Sequence, residues 1–128
     1  MLVERSDADL FPYPPVHPNT GDIAVRWYFQ DVNRLPVHVH RYDLPPGAVE
    51  GSHRHDTRDE PLDELYIVLA GTATVTIDGQ TTTLGPGDAA LAQAGTEHEV
   101  ANTGERPLRV LNIWGHPAPH RQPPVPEP

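Results

Sequence analysis

Cysteine and lysine are both absent from this chain of 128 residues. Without cysteine there can be no disulfide framework, no thiolate zinc site and no cysteine nucleophile. All nine cationic side chains are arginines, and 18 acidic residues outnumber them, which gives a net charge of −9. A chain this acidic lacks the basic surface that nucleic acids and anionic membranes attract. We therefore expect neither as a partner.

Long apolar runs are also missing. The longest extends from Leu65 to Ala70, whereas a membrane-spanning helix needs about 20 apolar residues. The first residues do not show the charged and then apolar pattern of a secretory signal. These features predict no membrane segment and a cytoplasmic location. The length predicts a single domain.

Helical periodicity is the third feature that the sequence lacks. Sixteen prolines and ten glycines interrupt the chain, and between them lie short segments rich in Val, Ile, Thr and Tyr, which indicate an all-β fold. Ala73, Val75 and Ile77 alternate with threonines in the segment before Asp78-Gly79, and this dipeptide predicts a hairpin with a type I′ turn. Strands this short must close into a sandwich or barrel to remove their edges. The predicted strands cover residues 22–29, 36–43, 51–57, 63–69, 72–77, 80–84, 88–92, 97–102 and 107–113.

The two ends differ from the centre in composition. Residues 1–20 predict an irregular N-terminal arm, residues 21–114 the barrel, and residues 115–128 a proline-rich flexible tail. His17, His116 and His120 fall in the two ends and are expected to be ordinary surface residues. The arm and the need to cover edge strands predict a homodimer, in which the first strand region packs against or exchanges with its partner.

Histidines and one carboxylate form the chemical signal of the sequence. His53 and His55 are separated by one residue, so on a strand both imidazoles lie on one face. Glu64 begins the next predicted strand, and His98 adds a third imidazole. Three imidazoles and a carboxylate suit Fe(II), Mn(II), Ni(II), Zn(II) or Co(II). Four protein ligands leave two open positions on an octahedral ion.

These residues, with Gly47, Gly71, Gly87, Gly95 and Asn102, resemble the two motifs of the cupin superfamily, G-x5-H-x-H-x3–4-E-x6-G and G-x5-P-x-G-x2-H-x3-N. Gln93 replaces the proline of the second motif. Eight residues separate His55 from Glu64, where the family has three or four, so Glu60 fits the short spacing and Glu64 fits the spacing to Gly71. We prefer Glu64, because Glu60 precedes Pro61 in a predicted loop.

The resemblance implies a double-stranded β-helix (jelly-roll) cupin barrel with one divalent metal ion, most simply Fe(II), on His53, His55, Glu64 and His98. It implies a mononuclear-metal enzyme acting on a small organic metabolite, with an Fe(II)-dependent dioxygenase as the first hypothesis. A non-redox isomerase, cyclase, lyase or decarboxylase and a non-catalytic small-molecule-binding protein are the alternatives, since the fold alone does not choose among them.

Further residues are candidates for roles near the metal. Tyr66 shares the face of Glu64 and is either a catalytic donor or a core residue with a satisfied hydroxyl. Asn102 is either a support for the metal ligands or a turn residue. His38, His40 and Tyr42 share one strand face, and Val37, Val39 and Arg41 the other. The valines indicate that the second face is buried and the histidines exposed, while His40 and Arg41 remain candidates for lining the substrate pocket.

Overall fold

The computed structural model describes residues 1–6, 11–12, 21–54 and 61–118, with the backbone alone at 11–12 and 52–54. This part of the chain contains ten strands and no helix, so it includes no helix that could span a membrane. The strands are β1 (Phe11–Pro12), β2 (Ala24–Trp27), β3 (His38–Leu44), β4 (Val49–Arg54), β5 (Asp63–Ala70), β6 (Ala73–Ile77), β7 (Gln80–Leu84), β8 (Ala89–Ala92), β9 (Glu97–Asn102) and β10 (Leu108–Gly115).

The all-β prediction is confirmed, and each of the nine predicted strands is present within a few residues of its predicted bounds. A tenth strand, β1, pairs with β2 inside the segment that was predicted to be irregular. The last strand ends at Gly115, and most of the predicted tail lies outside the described residues. His17 and His120 lie outside them too, whereas His116 is exposed, as predicted.

Two antiparallel sheets form the jelly roll. The six-stranded sheet has the order β1-β2-β3-β10-β5-β8, and the four-stranded sheet the order β4-β9-β6-β7. Their inner faces pack together, because inward apolar side chains alternate with outward polar ones along each strand. The core combines residues of both sheets, among them Val25, Tyr42, Leu44, Tyr66, Val68, Val75, Val100, Leu108 and Val110.

The predicted hairpin joins β6 to β7. Asp78 and Gly79 have φ angles of 47° and 79°, the two positive values that a type I′ turn requires. Across the pair, the hydroxyls of Thr76 and Thr81 are hydrogen-bonded at 2.9 Å on the solvent side. The turn and the alternation therefore fix one register, which leaves Val75 in the core.

The prediction for the two faces of β3 is wrong. His40 is buried on the inner face together with Tyr42, while Arg41 is buried on the outer face. There the Arg41 guanidinium donates to the backbone carbonyl of Ser6 at 3.0 Å and pairs with Asp43 at 3.2 Å. Residues 1–6 thus cover part of the outer face of β3. Because both faces of this strand are buried, the position of its apolar residues does not indicate which face points into the barrel. Arg41 does not line the barrel interior.

Candidate metal centre

Glu64 and His98 meet between the two sheets. Glu64 lies on β5 in phase with the core residues Tyr66 and Val68, and His98 lies on β9 in phase with Val100. Strand alternation therefore directs both side chains into the barrel. The carboxylate Oε2 of Glu64 lies 3.0 Å from Nε2 of His98, and both residues are buried. One predicted carboxylate and one predicted imidazole are thus in contact.

Both ring nitrogens of His98 lie close to an oxygen atom. Its Nδ1 lies 3.3 Å from the carbonyl oxygen of Thr96, which can only accept, so the proton of a neutral ring belongs on Nδ1. Nε2 then turns its lone pair toward the Glu64 carboxylate. A divalent cation between the two groups would fit this arrangement. A histidine held through Nδ1 by a carbonyl is also the usual state of a metal ligand, so the pair fits a divalent metal.

Tyr66 completes this side of the site. Its hydroxyl donates a hydrogen bond to Oε2 of Glu64, and its ring centroid lies 6.0 Å from that of His98. Burial, followed by the carboxylates of Glu50 and Glu64, raises the pKa of Tyr66 well above 10. The phenol is therefore a neutral donor at physiological pH. The predicted shared face of Tyr66 and Glu64 is confirmed.

The remaining predicted ligands are described only in part. The backbone of His53 is the register partner of His98 across β4 and β9, which places it at the same level of the barrel. His55 and the alternative carboxylate Glu60 lie outside the described residues. Within the described ranges, no group of three or more potential ligands is assembled, so the four-ligand set stays a prediction.

Glu50 is a buried carboxylate that the sequence analysis missed. It lies opposite Val100 in the register of β4 and β9 and is 2% exposed. A register irregularity between Glu50 and His53 places both opposite inward-facing residues of β9. The negative charge of Glu50 is one of the causes that raise the pKa of Tyr66. In the sequence, Glu50 differs from other acidic residues only in lying two positions after Ala48, and this spacing is too weak a signal to predict a buried carboxylate.

His40 belongs to a cluster of aromatic rings beside the Glu64 carboxylate. Its Nε2 accepts a hydrogen bond from the indole N–H of Trp114 at 3.3 Å, and its ring lies 4.3 Å from that of Trp27. Burial, aided by the nearby His38 and opposed by Glu64, lowers the pKa of His40 to about 4. His40 is thus a neutral imidazole inside the barrel, a location consistent with the predicted pocket-lining role.

Asn102 is a turn residue. Its Nδ2 donates to the carbonyls of Leu44 and Arg106, both at 2.9 Å, and its Oδ1 accepts from the backbone N–H of Gly104 at 3.0 Å. These three bonds hold the β9–β10 connection against the end of β3. The amide is fully used there, so of its two predicted roles the structure shows the structural one.

The sequence of this chain matches a protein family and is similar to a protein of Thermotoga maritima. The Cupin_2 family, described as a cupin domain, matches residues 40–114. An oxalate-binding protein of Thermotoga maritima is 30% identical over 73 residues, which are 57% of this chain and 57% of that protein. The chain thus matches little more than half the length of this relative.

Solved structures share the fold over a larger part of the chain. The crystal structure of a predicted oxalate decarboxylase from Thermotoga maritima has a TM-score of 0.79 and 22% identity, and the match covers 91% of this chain and 99% of that one. A Cupin 2 conserved barrel domain protein from Salinispora arenicola has a TM-score of 0.71 and 20% identity, with 90% and 88% covered. At these identities the likeness shows the fold alone.

Proposed function

The chain belongs to the cupin domain family, and from that premise we propose that it is a mononuclear-metal enzyme acting on a small organic metabolite. The metal would be held by His53, His55, Glu64 and His98. Fe(II)-dependent oxygenation is the first reaction to test, with Mn, Ni, Zn and Co as the other metals that the donor set suits.

The contact between Glu64 and His98 carries this proposal. A carboxylate oxygen lies 3.0 Å from an imidazole nitrogen in a buried site. Burial of such groups is costly unless a partner of opposite charge compensates it. Structural ion pairs usually connect neighbouring surface elements, whereas this pair lies between the inner faces of two sheets. The position of His53 opposite His98 in the register is consistent with a third ligand.

The residues of the chain supply the remaining parts of a reaction site. Tyr66 holds its proton and donates a hydrogen bond to the Glu64 carboxylate, which would orient that carboxylate as a ligand. The neutral His40 contacts the rings of Trp27 and Trp114, and these three groups would limit the access of water to the site. When bound, the metal would supply Lewis acidity and, if it is Fe(II), an electron source for dioxygen.

Non-redox chemistry on a small carboxylate is the second candidate. The name of a structural neighbour, a predicted oxalate decarboxylase, suggests it, and the name of the Thermotoga oxalate-binding protein suggests a small carboxylate as the ligand. A small dicarboxylate can bind a metal through two oxygens, which suits two open positions. Simple binding of such a molecule without turnover is a further outcome of the same assays.

Metal analysis tests the site. Protein isolated without a metal-affinity step is expected to hold about one divalent ion per chain, and His98→Ala should weaken its binding more than about 100-fold, since even outer partners of metal ligands contribute about 10- to 100-fold. Glu64→Gln should disturb the absorption of a Co(II) derivative, while the matched Glu60→Gln should not. If His98→Ala keeps its full metal content, the proposed metal site is wrong. If Glu60→Gln changes the Co(II) absorption and Glu64→Gln does not, the carboxylate ligand is Glu60.

Turnover assays separate the two chemistries. For an oxygenase, oxygen uptake should depend on added Fe(II) and on a small organic acid, and should be lost in Glu64→Gln. For the non-redox alternative, the same acids should be consumed without oxygen uptake, with Mn(II) or Zn(II) able to replace iron. Tight oxalate binding without consumption would identify a binding protein and contradict the enzyme proposal.

A further inference from the structure

Asn112 is a buried amide whose polar atoms have no hydrogen-bond partner among the described residues. It lies in the centre of β10, is 0% exposed, and neither its Oδ1 nor its Nδ2 has a hydrogen-bond partner in the described part of the chain. An unsatisfied buried polar group costs about 1–3 kcal/mol. Native structures contain few such groups, and those that persist call for an explanation such as a ligand or an ordered water.

The position of Asn112 points into the barrel beside the candidate metal centre. Asn112 is in phase with Leu108 and Val110, which belong to the core. Its register partners are His40 on β3 and Tyr66 on β5. Glu64 lies two residues from Tyr66 on the same face, so the Cβ atoms of Asn112 and Glu64 are about 7 Å apart. A molecule of a few carbon atoms can span this distance.

Comparison with Asn102 shows that burial alone does not explain the missing bonds. Asn102 is also buried, at 1% exposure, yet its amide makes three hydrogen bonds to the backbone. Asn112 makes no comparable bonds to the described residues. Its register partners are the neutral His40 and the neutral phenol of Tyr66, and the Glu64 carboxylate lies diagonally across the strand pair.

We propose that Asn112 binds the uncharged, hydrogen-bonding end of a small organic acid whose carboxylate binds at the Glu64–His98 site. This inference rests on the proposed function. An amide offers one donor and one acceptor group and so matches a hydroxyl or a carboxamide. A second carboxylate at this end would lie near the Glu64 carboxylate, whereas the arginines Arg26 and Arg41, which could neutralise it, lie on the outer face of the sheet. The ligand class is therefore a hydroxy acid or amido acid of about three to four carbons.

Thermal melting of the metal-free protein tests whether Asn112 is structural. Asn112→Val, with Asn112→Ala as the smaller variant, removes an amide that makes no hydrogen bond to the described residues, so at least one of them should melt at or above the wild-type temperature. The matched Asn102→Val breaks three bonds and should melt clearly lower. If both Asn112 variants melt as low as Asn102→Val, the amide has a structural role and the inference is wrong. This comparison does not depend on the metal.

Calorimetric binding to the Zn(II)-loaded protein tests the ligand, with 3-hydroxypropionate and propionate as probes that differ by one hydroxyl. The wild-type protein should bind 3-hydroxypropionate about tenfold more tightly, and Asn112→Val should reduce the ratio to about one, as expected for a lost hydrogen bond. An unchanged ratio, no preference in the wild type, or loss of zinc from the variant would overturn the assignment. A wild-type protein that takes up no metal would instead refute the proposed function.

Discussion

Acidification from pH 7 to pH 4 tests the buried, neutral state of His40. The pKa of this residue is lowered from 6.5 to about 4, chiefly by burial. The unfolded chain therefore binds a proton as the pH falls below about 6.5, while the folded protein resists protonation until about pH 4. Folding stability is complete above pH 6.5 and declines through this window. At about 1.4 kcal/mol for each tenfold difference, the loss is about 3 kcal/mol.

Urea unfolding at the two pH values, with excess chelator, measures this loss. Other histidines and carboxylates also titrate, so the useful quantity is the difference between wild type and His40→Gln, which keeps an acceptor for the Trp114 indole but cannot titrate. The variant should lose about 3 kcal/mol less than wild type on acidification. His116→Gln removes an exposed histidine and should behave like wild type. An equal loss in wild type and His40→Gln would refute the reasoning.

Two further predictions concern backbone geometry and assembly. Gly71 and Gly79 have φ angles of 84° and 79°, but an added Cβ would lie 2.5 Å from the Pro107 carbonyl oxygen at Gly71 and would meet nothing within 4 Å at Gly79. Gly79→Ala should lower the free energy of unfolding in urea by about 1–2 kcal/mol, because of the φ angle alone. Gly71→Ala should lower it by more than about 3 kcal/mol. Equal losses would show that the loop at Pro107 shifts to make room for the added methyl group. Sedimentation at micromolar concentration should give the mass of a homodimer, and a monomer unchanged on dilution contradicts that expectation.

Sequence reasoning succeeded where one local rule acted alone. The strand bounds followed from the alternation of apolar residues and from the glycines and prolines between them, and the hairpin followed from Asp78-Gly79. The contact of Glu64 with His98 followed from the cupin motifs, which encode a geometry that no local pattern contains. Tyr66 followed from its phase with Glu64, since a strand places residues i and i+2 on one face.

The wrong prediction concerns β3, a strand on which a distant segment of the chain packs, so that its outer face is buried as well as its inner one. On β3, Val39 suggested a buried face and His40 an exposed one, but residues 1–6 cover the outer face while aromatic rings surround His40 inside. In a strand that is buried on both faces, apolar residues do not indicate which face points to the core. Asn112 was not identified from the sequence, although it lies two residues after Val110 and so on the same strand face. A single polar residue in an apolar strand can equally well be exposed to solvent.

Glu64 and His98 come from different sheets, and this has a consequence for folding thermodynamics. An ion held by both residues would connect the two sheets, so the free energy of metal binding would add to the free energy that holds the sheets together. An ion present at 100 times its dissociation constant would add about 2.7 kcal/mol to the folded state, a large fraction of the stability of a small domain. A chelator would then act on this protein as a denaturant, and the order in which metals raise its melting temperature would rank their affinities without any knowledge of the substrate.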